Sequence, residues 1–251
     1  MRTRLVAGNW KMNPTSLDEA VGLALEVADG TASLPIRTVI CPPSIWLHAV
    51  ANTVAGSGLA IGAQNMHDQE RGAFTGEVSP MMLRGVVEFC ILGHSERRIL
   101  FHETDDDVGR KVASAAAHGI RPIAAIGERL EEREAGLTEA IIDRQLRAAV
   151  RDVDVAASGL VVAYEPVWAI GTGVAASPAD ARAAAGQIRG ILREVAGAAG
   201  EDVHILYGGS VTADNAHEFF GEAEVDGALV GGASLDGRQF AAIARAAAIG
   251  A

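Results

Sequence analysis

The sequence predicts an α/β fold: a single-domain (β/α)8 barrel with eight parallel strands. Three observations carry this expectation. Eight short apolar runs alternate with helix-patterned stretches from end to end, which implies a parallel sheet with helices between its strands. The chain has 251 residues, a length at which eight such units close as one domain. The competing doubly wound open sheet would carry G-x-G-x-x-G after its first strand, and that fingerprint is absent.

The expected strands are Leu5–Asn9, Arg37–Cys41, Leu59–Ala63, Phe89–Leu92, Arg121–Ile126, Leu160–Tyr164, His204–Tyr207 and Gly227–Val230. Each is short and mostly apolar, as a strand buried on both faces should be. Between them, Asp18–Ala28 has apolar residues at helical spacing. Asp105–His118 opens with three acids and stops at Gly119, the charge order and the breaker a helix favours. Leu137–Val150 and Pro178–Ala198 are the longest helical stretches, the second opened by a Ser-Pro cap pair. Asp214–Phe220 and Gly237–Ala248 complete the series. The charged stretch Glu128–Glu134 reads as a solvated loop and helix start. No linker or composition shift divides the chain, so residues 1–251 are expected to form one domain.

Composition narrows the function classes. Hydrophobic residues make up 49% and charged residues 21%, enough to bury a sizeable core around a polar surface. Net charge is −11 and aromatics are only 4%, which argues against nucleic acid and anionic membranes as partners. An anionic substrate would then need local positive potential. The two cysteines, Cys41 and Cys90, lie in strand-like runs and read as buried reduced thiols. No signal-like segment opens the chain and no apolar run approaches the ~20 residues of a membrane span, so a cytoplasmic location is expected.

In such a barrel, the C-terminal strand ends and the loops after them converge on one mouth. Read in order, those positions form a set. The first strand ends at Asn9, with Lys11 just beyond. The fourth is followed by Gly93-His94-Ser95-Glu96-Arg97-Arg98. A His at the start of a helical turn faces backbone N–H groups, a field that favours an uncharged imidazole acting as hydrogen-bond donor. Arg97 and Arg98 fit ion pairing or a subunit contact as well as chemistry.

The sixth strand ends in Glu165, followed at once by Pro166 and an apolar loop with two glycines near its far end. Alone, Glu165 would read as a solvated carboxylate. The last two strands are followed by Gly208-Gly209-Ser210 and Gly231-Gly232-Ala233-Ser234, where backbone N–H groups can approach a phosphate, with Gly171 in the preceding loop. No metal motif, nucleophilic Cys or G-x-S-x-G elbow accompanies them, and no cofactor is called for. One carboxylate, one imidazole and a cation beside a phosphate cradle point to proton shuttling next to a carbonyl: aldose–ketose isomerisation through an enediol.

At these residues the chain resembles the triosephosphate isomerase family. The matching segments are Ala7–Asn13, Gly72–Pro80, Leu92–Arg98, Tyr164–Gly173, Tyr207–Val211 and Asp226–Leu235, in order and nearly end to end. The resemblance implies a TIM barrel, with Glu165 as base and His94 polarising the carbonyl and shuttling protons. The family is itself a general example of a Glu base paired with a neutral His, so those roles are carried over with it. It further implies that Lys11 and Asn9 stabilise negative charge and that Glu96 supports the site from behind. Backbone amides at Gly171, Ser210, Gly231 and Gly232 would hold the phosphate. The loop Pro166–Ala176 would close and exclude water. The segment Gln64–Glu77 resembles an interdigitating loop whose Thr75 enters a second subunit near Asn9 and Lys11, implying a homodimer.

Three departures stand out. Val174-Ala175-Ala176 replace the Lys-Thr-Ala type of loop ending, which would alter lid kinetics. Ala125 stands where the family usually has Cys, with a modest stability cost expected unless neighbours repack. Asn65-Met66-His67-Asp68 is an uncommon form of the dimer loop and is similar to isomerases of four-carbon ketose phosphates such as erythrulose phosphate. That sister activity is one alternative; a non-catalytic phosphosugar-binding barrel is another.

Overall fold

The computed structural model describes residues 2–169 and 176–249. Its strands are β1 Leu5–Asn9, β2 Arg37–Cys41, β3 Ala60–Ala63, β4 Phe89–Leu92, β5 Arg121–Ile126, β6 Val161–Tyr164, β7 His204–Tyr207 and β8 Gly227–Val230. Neighbours pair in sequence order and in parallel, and β8 pairs back onto β1, so the sheet closes as the expected barrel. The helices are α1 Leu17–Thr31, α2 Leu47–Thr53, α3 Pro80–Leu83, α4 Ser95–Leu100, α5 Asp105–Ala117, α6 Leu130–Glu134, α7 Thr138–Val150, α8 Val155–Ser158, α9 Pro178–Ala196, α10 Ala199–Asp202, α11 Ala216–Phe220 and α12 Gly237–Ile249.

Strand alternation builds two cores. Leu5, Ala7, Val39, Phe89, Ile91, Ile123, Val161, Ala163, Leu206 and Leu229 fill the barrel interior. Their sequence neighbours Val6, Ile40, Cys90, Leu92, Ala124, Val162, Ile205 and Val230 face the helices. Each fully buried Leu, Ile or Val contributes about 1.5–3 kcal/mol, so a one-residue slip of any strand, which swaps the two sets, is strongly disfavoured.

Local chemistry sets the element ends. The Ser177 hydroxyl accepts from the Asp180 amide while Asp180 reaches back to Ser177, with Pro178 in the first turn, as the Ser-Pro pair predicts. Thr104 and Asp107 make the same reciprocal cap on α5. Strands β3 and β6 begin one residue later than expected. The amides of Leu59 and Leu160 bond to the hydroxyls of Ser57 and Ser158 at 3.2 Å instead of joining the ladder. Helix α9 stops at Ala196 rather than Ala198, since Gly197 takes φ +55° and cannot continue the turn. Residues 214 and 215 lie outside α11, in a turn where the Asn215 side chain accepts from the Thr212 amide.

The stretch Glu128–Glu134 requires a correction. Residues 130–134 form α6, and Glu128 is not solvated: its side chain is fully buried. The Tyr164 hydroxyl and the Trp168 indole N–H donate to its carboxylate at 3.1 and 2.8 Å. Three buried polar groups satisfying one another explain what a charge count could not see.

Candidate active site

Glu165 is placed by β6, whose last ladder residue, Tyr164, pairs with Ile126. The Glu165 amide then donates to the Ile126 carbonyl at 2.7 Å, carrying the strand geometry one residue further. The side chain turns inward and is only 2% exposed, so the reading of a solvated strand end is wrong. Its Oε2 accepts from the Ser95 amide at 2.8 Å, and its Oε1 lies 3.1 Å from His94 Nε2.

His94 is the N-cap of α4. Its Nδ1 accepts from the Glu96 amide at 3.2 Å. With Nδ1 engaged as acceptor, the hydrogen-bond network assigns the ring proton to Nε2, which aims it at the Glu165 carboxylate. The expected neutral donor is therefore the tautomer the backbone selects.

Lys11 occupies left-handed backbone at φ +54°, a conformation that costs about 1–3 kcal/mol in a non-glycine residue. Two bonds hold it there: its amide donates to Asn9 Oδ1 at 3.0 Å, and Gln64 Nε2 donates to its carbonyl at 2.7 Å. Gln64 also donates to the Cys41 carbonyl at 2.8 Å, tying the ends of β1 and β2 together. The Lys11 ammonium meets Glu96 Oε1 at 2.5 Å. Glu96 does not line the cavity that holds His94 and Glu165; it reaches Lys11 from the neighbouring cleft through a carboxylate that is 43% exposed.

Asn9, Lys11, His94, Glu165, Ser210, Gly231 and Gly232 all line one cavity of about 410 Å³. Seven positions from five separated segments are brought together as the sequence order of strand ends predicts. Gly231 caps the short 3-10 turn Gly232–Leu235. The buried Ser234 hydroxyl donates to the Gly231 carbonyl at 2.6 Å and fixes that turn from below. Asn215 Nδ2 donates to the Ser210 carbonyl at 3.1 Å, steadying the other glycine-rich loop. Gly208 must be glycine for a different reason: an added Cβ would sit 2.9 Å from Glu165 Cγ. Gly171 and most of the proposed lid lie outside the described residues.

Thr75 is exposed and does not line this cavity. A second cleft of about 720 Å³ lies on the other side of Lys11 and His94, bordered by Gln64, Asn65, Glu77, Glu96, Leu100 and Phe101. Sequence reasoning missed Gln64, the Ser95 amide and Glu128. Gln64 follows a strand end directly, which was the available signal. The other two act through backbone donation and burial, which no motif encodes.

The sequence model of the family described as Triosephosphate isomerase matches residues 4–247. A protein of Magnetococcus marinus named Triosephosphate isomerase is 51% identical, over 97% of this chain and 98% of its own length. Relatives of the same name from Chloroflexus aurantiacus and Alkaliphilus oremlandii are 48% and 47% identical, each over at least 96% of both chains.

Proposed function

The chain belongs to the triosephosphate isomerase family, and from that premise we propose the roles its residues take in interconverting dihydroxyacetone phosphate and D-glyceraldehyde 3-phosphate. The observation that carries the reading is the buried Glu165 carboxylate 3.1 Å from His94 Nε2, in a cavity that also receives Lys11. Glu165 takes the proton from the carbon beside the carbonyl. His94 donates its Nε2 proton toward the carbonyl oxygen and shuttles it between the two oxygens. A positioned base contributes about 10²–10⁴-fold and a preorganised donor about 10²–10³-fold. Lys11 and Asn9 counter the charge that develops on the enediolate, and Glu96 orients the Lys11 ammonium. Backbone amides at Ser210, Gly231, Gly232 and Gly171 hold the phosphate, supplying the local attraction that a chain of net charge −11 lacks overall. No cofactor enters this scheme.

Assembly and location follow as further parts of the proposal. Met12, Leu100 and Phe101 are exposed apolar side chains lining the second cleft, and the exposed Phe74 stands next to Thr75. Such clustering supports a homodimer through this face. Among the described residues no helix is long and apolar enough to cross a membrane. The two cysteines are buried free thiols, which supports a reducing, cytoplasmic setting.

The test is turnover. Purified protein should interconvert the two triose phosphates, with kcat/KM at least tenfold (~1.4 kcal/mol) above that for a four-carbon ketose phosphate. No turnover of either triose phosphate, or the reverse ratio, would overturn the assignment. Glu165→Asp separates catalysis from binding. Shortening the base by one methylene should lower kcat at least 10²-fold, whereas a binding barrel would keep its phosphosugar affinity unchanged.

A further inference from the structure

We infer that Gln145 is a positioning residue for the reaction, holding the main chain beneath the catalytic base through Gly127. The sheet between β5 and β6 ends at the pair Ile126–Tyr164. Gly127 and Glu165 come immediately after that last rung; one further strand-type bond, from the Glu165 amide to the Ile126 carbonyl at 2.7 Å, reaches Glu165, and none of that ladder holds Gly127 itself. Further along the two chains, the Val167 amide donates to the Glu128 carbonyl at 3.1 Å. On the outer side, Gln145 of α7 reaches across with both ends of its amide. The Gly127 amide donates to Gln145 Oε1 at 2.7 Å, and Gln145 Nε2 donates to the Gly127 carbonyl at 3.3 Å.

Gly127 passes that constraint on by direct contact. A Cβ built on it would fall 1.7 Å from the Glu165 carbonyl oxygen and 2.6 Å from its carbonyl carbon. The two main chains therefore lie in direct contact with no room for a side chain between them, so the position of Gly127 bounds where Glu165 can sit. The Glu165 carboxylate in turn has to stay within hydrogen-bond reach of the Ser95 amide and His94 Nε2.

The burial of Gln145 argues for this role over simple packing. It is only 6% exposed. An apolar side chain would fill the space between α7 and β5 at lower desolvation cost. A buried amide whose donor and acceptor both engage one residue fixes that residue's position and orientation. The same side chain borders a groove of about 830 Å³ on the outer side of the base, shared with Ser95, Gly127, Val167 and Trp168. With open space behind it, Gly127 would otherwise be free to retreat from Glu165.

This inference rests on the reading of Glu165 as the base, and the experiment separates the two. Steady-state kinetics would be measured on the intact protein and on Gln145→Met, Gln145→Glu, Glu165→Asp and the double variant Gln145→Met/Glu165→Asp. Since a displacement of 1 Å can cost about 10²-fold, loosening the clamp should lower kcat about tenfold in Gln145→Met, with KM changed less than about twofold. Gln145→Glu keeps the acceptor for the Gly127 amide and should lose only about threefold. In the double variant the loss should stay within about twofold of Glu165→Asp alone, because both changes act on one group. An unchanged kcat in Gln145→Met, a rise in KM that matches the fall in kcat/KM, or multiplicative losses in the double variant would overturn the inference. If Gln145→Met does not fold, Gln145→Glu set against Glu165→Asp makes the same comparison. A Glu165→Asp variant that keeps its kcat would refute the base itself instead.

Discussion

Replacing Glu128 by Ala should destabilise the protein by about 2–5 kcal/mol. Glu128 is fully buried, and its carboxylate accepts from Tyr164 Oη at 3.1 Å and Trp168 Nε1 at 2.8 Å. Burial, and after it the neighbouring carboxylate, push the Tyr164 hydroxyl far above its ordinary range, so it remains a donor at every accessible pH. Removing Glu128 takes a shared acceptor from the buried Tyr164 hydroxyl and the Trp168 indole and opens a void beside them. Each unsatisfied group costs about 1–3 kcal/mol, and a water entering the void would return part of that. Arg133 adds little to the loss, because it keeps Asp180 at 2.6 Å and is one-third exposed. Glu128→Gln preserves the volume and one acceptor, and should cost about 1–2 kcal/mol. The assay is urea unfolding followed by circular dichroism, at one fixed protein concentration because assembly would shift the midpoint. Trp168 begins the loop next to the base, so kcat should also fall several-fold in the Ala variant. A Glu128→Ala protein within about 1 kcal/mol of the parent would refute the argument that this buried carboxylate holds Tyr164 and Trp168 in place.

Further outcomes follow from the same geometry. Gly208→Ala places a Cβ 2.9 Å from Glu165 Cγ and 3.1 Å from the Tyr164 carbonyl, so kcat should drop about tenfold at a stability cost of about 1–3 kcal/mol, read by kinetics and urea unfolding; an unchanged kcat would contradict it. Burial pushes the Cys41 thiol up to about 12 and the Cys90 thiol higher still, so iodoacetamide should label neither in the native protein at neutral pH, as mass spectrometry would show. Burial also pushes His204 below its ordinary value, against the opposing hydrogen bond to the Thr3 carbonyl at 2.8 Å. The unfolded chain then takes up that proton first as pH falls through about 6.5, so native stability declines from there down to the lower folded value. His204→Gln should flatten that part of the stability–pH curve, and an unaltered slope would count against the assignment.

The barrel was legible because its signals are local and repeated. Alternating strand and helix patterns give the architecture, and the Ser177-Pro178 pair and the three acids from Asp105 mark two of the longer helix starts. Strand ends name the mouth, so Asn9, Lys11, His94, Glu165, Ser210, Gly231 and Gly232 were found before their convergence was visible. Short helices such as Leu47–Thr53 and Pro80–Leu83 escaped, since so few residues carry too little periodicity to register. The larger error, at Glu128, came from treating charge as a sign of exposure. Glu128 and Glu165 are both buried, and each is held by donors distant in sequence: Tyr164 and Trp168 for one, the Ser95 amide and His94 for the other. Pattern reading has no access to such partners, because they become neighbours only when the barrel closes.

As the proposed base, Glu165 moves a proton that exchanges with solvent. Converting D-glyceraldehyde 3-phosphate in D2O and examining the product by NMR tests it most directly. The predicted product is dihydroxyacetone phosphate carrying deuterium on the carbon that was the aldehyde, with both turnover and label incorporation lost in Glu165→Gln. Product formed in D2O with no deuterium at that carbon, or undiminished exchange in Glu165→Gln, would contradict it.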